Sequence, residues 1–162
     1  MVNDNKMKRL IETKLKSLDL TIPFMMDGYP RKINQAHDYE EILSSLNLSV
    51  DKVIFINIDK ETGLKRILGR ATCPQCKRTY NLLTGYNTPK NANLCDECNV
   101  ELITRTDDTK EAYEKRYDIY MTETAPVIEY YRSLGKLITI DGTKEPEITL
   151  SNLETLLGVN NG

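Results

Sequence analysis

The chain has 162 residues, 40% of them hydrophobic and 28% charged, the make-up of one globular domain with room for a small insert. Its 22 basic and 24 acidic side chains give a formal net charge of −2, which argues against a dominant nucleic-acid face. No apolar run approaches the roughly 20 residues that span a bilayer, and Met1-Val2-Asn3-Asp4-Asn5 lacks the apolar core of a secretion signal, so a soluble cytoplasmic protein is expected.

Residues 3–18 predict an amphipathic helix, because Met7, Leu10, Ile11, Leu15 and Leu18 recur at three- and four-residue steps. Ile22-Pro23-Phe24-Met25-Met26, ending at Asp27-Gly28, reads as a short buried strand. Helical spacing returns over residues 33–47 through Ile33, Ala36, Tyr39, Ile42, Leu43 and Leu46. The run Val53-Ile54-Phe55-Ile56-Asn57-Ile58, apolar but for Asn57, predicts a strand buried on both faces. A helix over residues 60–70 follows, with Asp59 or Glu61 near its start to cap it. Asp107 to about Ser133 predicts one long helix, broken or kinked near Pro126. Leu137–Ile140 is a third strand, closed by Asp141-Gly142, and residues 146–157 form a last helix. Strands alternating with helices predict a parallel α/β sheet.

Residues 72–104 interrupt that pattern. They hold all four cysteines, Cys73, Cys76, Cys95 and Cys98, as two CxxC pairs with 18 residues between them. That spacing is a four-ligand zinc pattern, and a closed shell of four thiolates leaves no position for water or substrate, so the metal would be structural. Spacing alone does not separate zinc from iron. Two disulfides, four free thiols or a redox CxxC are the alternatives, and a reducing compartment disfavours the first. Few apolar residues (Tyr80, Leu82, Leu83, Tyr86) are available for packing, and a metal would compensate for the thin core.

Chemistry gathers around this insert. Asp27-Gly28-Tyr29-Pro30-Arg31 follows the first predicted strand, a place where a carboxylate can hold Mg²⁺ and an arginine can clamp a phosphate. Arg66 and Arg70, four apart and on one helix face, precede the insert. Arg105 follows it with Asp107 and Asp108 close by, and Arg116 lies further along the next helix. Singly, each arginine reads as a solvated surface charge. Together they look like phosphate clamps at a hinge. The lone histidine, His37, reads as a partly exposed helix residue without a catalytic role.

The ordered set Asp27–Arg31, Gly69-Arg70, the four cysteines, Thr104–Asp108, Lys115-Arg116, Thr124-Ala125-Pro126, Tyr130-Tyr131 and Ile140–Thr143 resembles the adenylate kinase family in its zinc-containing long-lid form, from about residue 2 to about residue 158. The resemblance implies reversible phosphoryl transfer from MgATP to AMP, giving two ADP. It implies that Asp27 lies near Mg²⁺, Arg31 binds the AMP phosphate and Gln35 reads the AMP adenine. It places Arg66 and the Gly142–Lys144 backbone at the ATP base, and Arg70, Arg105 and Arg116 around the transferring phosphoryl group, with the latter two also serving AMP. Tyr29-Pro30 would be a cis peptide, which proline permits. The zinc is structural and Mg²⁺ accompanies ATP. AMP rather than another monophosphate rests on Gln35 and the resemblance. Lys32 adds positive charge beside Arg31 where the family more often has a small polar residue.

One departure matters. The family opens with a strand and a GxxGxGK phosphate loop, whose amides and lysine hold the ATP phosphates. Here no Gly-x-Gly occurs among the eight glycines, and Gly135-Lys136 is followed by Leu137. The expectation is the C-terminal part of such an enzyme: an incomplete P-loop-kinase-like parallel sheet flanked by helices, with a small four-cysteine zinc lid. Its parts would be residues 1–70, the lid 71–105 and residues 106–162. Little or no activity is expected of these residues alone, and a complementary N-terminal segment bearing the phosphate loop is an expected partner. The rival of another class is a zinc-ribbon module binding nucleic acid or protein through Lys77, Arg78, Lys90, Tyr80 and Tyr86.

Overall fold

The computed structural model describes residues 3–158. The chain divides into two compact units, residues 1–55 with 119–138, and residues 56–118 with 139–162. In the first, helix α1 (Asp4–Lys16) starts where Asn3 accepts a hydrogen bond from the Asn5 N–H, and it carries Asp4 in its first turn and Lys14 and Lys16 in its last. That is the charge order the helix dipole favours. Its apolar face buries Leu15 against Tyr39, Ile42 and Leu43 of helix α2 (Ile33–Ser45). Lys8 joins the same two helices by donating to Asp38 at 2.7 Å and Glu41 at 2.9 Å.

Strands β1 (Val53–Asn57) and β5 (Leu137–Asp141) form a two-stranded sheet. Val53 N–H donates to the Lys136 carbonyl and Gly142 N–H to the Asn57 carbonyl, so both strands advance together and the pair is parallel. The first expected strand, Ile22–Met26, is not a strand. Those residues are irregular, and Ile22 and Met25 are 62% and 80% exposed. A strand needs a hydrogen-bonded neighbour, and no described strand pairs with this segment.

The long helix predicted from Asp107 is three pieces: α4 (Lys110–Ile119), a π turn (Tyr120–Thr124) and α5 (Ala125–Ser133). Thr109 starts α4 by accepting from the Ala112 N–H. Pro126 explains the π turn. In an unbroken α-helix its ring would press on the carbonyl of Thr122, four residues back. The wider turn, in which Ala125 N–H donates to the Tyr120 carbonyl, absorbs that conflict upstream. Beyond it, Val127 and Tyr131 of α5 pack with Ala36 of α2 in a second core cluster.

In the other unit, α3 (Lys60–Leu68) is capped by Asp59, whose carboxylate accepts from the Thr62 N–H. Helix α6 (Pro146–Leu157) has Pro146 at its start, where a missing N–H costs nothing, and Gly158 in the left-handed conformation at its end. The insert is a three-stranded antiparallel sheet, β2 (Arg70–Thr72), β3 (Thr79–Asn81) and β4 (Ile103–Thr104), in the order β3-β2-β4. Its core is Ala71, Cys73, Tyr80, Cys95 and Leu102, with Leu82 packed alongside. Leu83, expected to pack there, is 59% exposed, and Tyr86 turns its hydroxyl to Glu147 instead. With two cysteines at the centre, the little sheet has room for few further side chains. Among the described residues no helix is long and apolar enough to cross a membrane.

Candidate functional site

The four thiols meet. The sulfurs of Cys73, Cys76, Cys95 and Cys98 all lie within 4.8 Å of one another, and Cys76 and Cys95 are 3.6 Å apart. Both CxxC turns are built alike. Cys73 N–H donates to the Arg78 carbonyl and Lys77 N–H to the Cys73 carbonyl; Cys95 N–H donates to the Val100 carbonyl and Asn99 N–H to the Cys95 carbonyl. Lys77 and Asn99, each directly after its second cysteine, take positive φ of 63° and 52°. That backbone folds each pair of sulfurs inward. A tetrahedral metal with bonds of roughly 2.3 Å places its sulfurs roughly 3.8 Å apart, so this donor set fits such an ion. The protons tell the same story. The Tyr80 hydroxyl, 3.5 Å from the Cys95 sulfur, helps hold that thiol down to about 6, while the Cys76 sulfur pushes Cys98 up to about 12. Four thiolates so close need a cation before all can ionise.

At the base of the insert three arginines converge on two neighbouring aspartates. Arg70 grips Asp108 with both Nε and Nη2, at 2.9 and 2.7 Å, and the Asp108 side chain is only 2% exposed. This bidentate contact raises the Arg70 pKa. Arg105 grips Asp107 likewise, at 3.0 and 3.1 Å, and holds its carboxyl below the ordinary range. Arg116 donates to the Asp107 carbonyl at 2.9 Å and approaches the Asp108 carboxylate at 4.0 Å. Arg105 and Arg116 keep exposed faces, at 57% and 50%. Three cations gathered against two anions leave an excess of positive charge suited to a polyanion.

Arg66 is spent differently. Its guanidinium donates to the carbonyls of Gly142 at 2.7 Å, Lys144 at 3.0 Å and Thr143 at 3.1 Å. The loop also lies tight against β1, which a glycine permits: a Cβ at Gly142 would meet Ile56 at 2.5 Å and the Asn57 carbonyl at 3.2 Å. Arg66 and the Gly142–Lys144 backbone, both expected near the ATP base, are therefore in direct contact.

Asp27, Arg31 and Gln35 lie in the first unit. Asp27 is exposed. Arg31 donates from Nε to the Gly28 carbonyl, and its backbone N–H donates to the Gln35 side chain at 2.9 Å. Gln35 in turn donates to Asp4 at 2.8 Å. Tyr29-Pro30 is cis. Lys32 sits 3.6 Å from Glu123, and exposed His37 sets its ring edge-on to Tyr130. Two partnerships have no counterpart in the sequence reading: Asp108 stands out there only as an acid near Arg105, with no link to Arg70, and Asn81 is not singled out.

A family model described as adenylate kinase matches residues 1–136. The adenylate kinase of Kosmotoga olearia is 43% identical over 160 residues, covering 96% of this chain and 74% of that protein. That of Alkaliphilus oremlandii is 39% identical over 158 residues, covering 98% and 72%. That of the archaeon Methanosarcina acetivorans is 37% identical over 157 residues, covering 97% and 72%. Fold and relatives together point to a phosphotransferase family of the α/β class. The chain belongs to the adenylate kinase family.

Proposed function

We propose that these residues carry the nucleotide-handling arginines and lid of an enzyme that interconverts MgATP plus AMP with two ADP. The observation that carries the proposal is the convergence of Arg70, Arg105 and Arg116 on Asp107 and Asp108 at the base of the lid. Phosphoryl transfer needs in-line positioning and neutralisation of spreading charge, and fixed guanidinium groups supply both. In this reading Arg31 binds the AMP phosphate and Gln35 its adenine. Arg66 with the backbone of Gly142 and Lys144 borders the ATP base, and Arg70, Arg105 and Arg116 surround the phosphoryl group in flight. Asp27 would hold Mg²⁺ or its waters, and that ion would neutralise phosphate oxygens. Zinc in the four-cysteine site is structural and shapes the lid, residues 71–105.

The 162 residues contain no Gly-rich phosphate loop. We assign that role to a segment outside them, whether joined to this chain or separate. To test the reading, residues 1–162 are fused behind the phosphate-loop portion of the Kosmotoga olearia relative and assayed for ADP from MgATP and AMP. Turnover that Arg116→Ala reduces by at least a hundredfold supports the assignment. No ADP from the fusion, or equal use of CMP, UMP and AMP, removes it. The lid as a nucleic-acid surface is the weaker reading, since Arg78 is paired with Glu97 at 2.8 Å and Lys77 donates to the Pro74 carbonyl.

A further inference from the structure

Asn81 ends β3 with every polar atom of its side chain committed. Its amide nitrogen donates to the backbone carbonyl of Arg66 at 2.9 Å. Its oxygen accepts from the N–H groups of Leu83 at 3.0 Å and Thr84 at 3.1 Å. The backbone around it is fixed as well. Asn81 stands opposite Arg70 in the β2–β3 register, and Leu82 N–H donates to the Gly69 carbonyl at 2.8 Å. Gly69 is what permits the approach, because a Cβ there would collide with the Asn81 oxygen and would lie 2.9 Å from the Leu83 nitrogen.

One side chain thus ties the turn after β3 to the last turn of α3, at the residue whose guanidinium holds the Gly142–Lys144 loop. The carbonyl of Arg66 lies in a helix end, where carbonyls lack partners within the helix. Asn81 supplies that partner, and it does so from the lid. A neutral amide suits the place: its nitrogen donates to the helix while its oxygen, a separate atom, accepts twice from the turn, whereas a carboxylate has no donor and a hydroxyl would have to serve both sides from one oxygen.

We propose that Asn81 is a positioning residue for the ATP site: it locks β3 of the lid to the carbonyl of Arg66 and so fixes the guanidinium that clamps the Gly142–Lys144 loop. The inference rests on the proposed nucleotide role of that loop. Movement of the lid strand and the placing of the nucleobase border become one event, since neither Arg66 nor β3 can shift alone without breaking the Asn81 bond.

Asn81→Asp tests it. The variant keeps the two acceptor bonds and sets a carboxylate against the Arg66 carbonyl. In the zinc-loaded 162-residue protein, the side-chain NMR signals of Arg66 are read together with affinities for MgATP and AMP. Hindered rotation of the Arg66 guanidinium, held by three carbonyls, is expected to be lost in the variant. MgATP affinity falls about tenfold, AMP affinity holds within twofold, and zinc content is unchanged. Unchanged Arg66 signals in the zinc-replete variant overturn the inference. Should the parent protein bind no MgATP for want of the phosphate loop, the affinities are read in the phosphate-loop fusion instead; a fusion that binds no MgATP while the Arg66 signals still change leaves the positioning role standing and overturns the nucleotide role of the Gly142–Lys144 loop. Should Asn81→Asp lose its zinc, Asn81→Ala, which removes the side-chain donor without adding charge, is read by the same signals.

Discussion

At the scale of single residues, what distinguishes this chain is how few of its site cations are left to solvent alone. Asp108 is the clearest case: a carboxylate buried to 2% exposure, bound at two points by Arg70. Removing one partner of such a pair strands the other. Asp108→Ala is expected to cost roughly 1–3 kcal/mol, less than a fully buried pair because Arg70 keeps 31% of its side chain in water. Urea unfolding measures it, and Asp108→Asn should recover part of the loss by accepting one of the two bonds. Tyr131 is the converse. Its hydroxyl is buried with no protein partner among the described residues, and burial raises its pKa. Tyr131→Phe removes a desolvated group and nothing else, so stability should stay level or rise by up to about 1 kcal/mol. A loss of more than that would show that the hydroxyl is satisfied after all.

At the scale of elements, the helices were the legible part. Their apolar spacing and end chemistry agree: Asn3 and Asp59 cap α1 and α3, and Pro146 and Gly158 bracket α6. Ile22–Met26 reads as a strand for the same local reason that Val53–Asn57 does, but a strand is a property of two segments and no pattern within one segment reports its neighbour. The four cysteines were legible because metal geometry constrains spacing directly. The pairing of Arg70 with Asp108 and the two-ended grip of Asn81 were not, because hydrogen bonds across 38 and 15 residues leave no periodicity. The caps also carry a pH dependence. The Thr62 N–H and hydroxyl hold the Asp59 carboxyl below its ordinary value of 3.8. A depressed folded value means that this stabilisation is complete above the unfolded value and is lost as pH falls through the folded one. Asp59→Asn should therefore lower Tm at pH 7, and the gap to the parent should narrow as the pH falls below the ordinary value of 3.8. A gap constant with pH would mean that the charge contributes nothing. For the lid, chelation should expose all four thiols to a thiol reagent and unfold β2–β4, since the buried core there includes Cys73 and Cys95. The α1–α2 cluster around Leu15, Tyr39, Ile42 and Leu43 contains no ligand, so its amide exchange should barely change.

At the scale of the whole molecule, the arginines and a phosphate loop would make separate contributions. The arginines neutralise charge wherever they are held, but a phosphate loop supplies a cradle of backbone N–H groups and a lysine that no described residue replaces. Loss of one preorganised donor costs about 3–4 kcal/mol of transition-state stabilisation in a comparable site, and a loop provides several. The 162 residues alone should therefore make ADP on the order of 10³-fold more slowly than the Kosmotoga olearia relative, or slower still. The irregular stretch Ile22–Met26, which joins no described sheet and leaves Ile22 and Met25 exposed, offers apolar side chains of the kind a further strand would cover. If a separately supplied segment with a strand and phosphate loop restores ADP formation, it should also shield Met25 from peroxide oxidation with the same concentration dependence. Restored turnover without protection of Met25 would place the added strand elsewhere. Family-level turnover by the 162 residues alone, free of contaminating kinase, would mean that the arginine cluster carries the reaction without the loop.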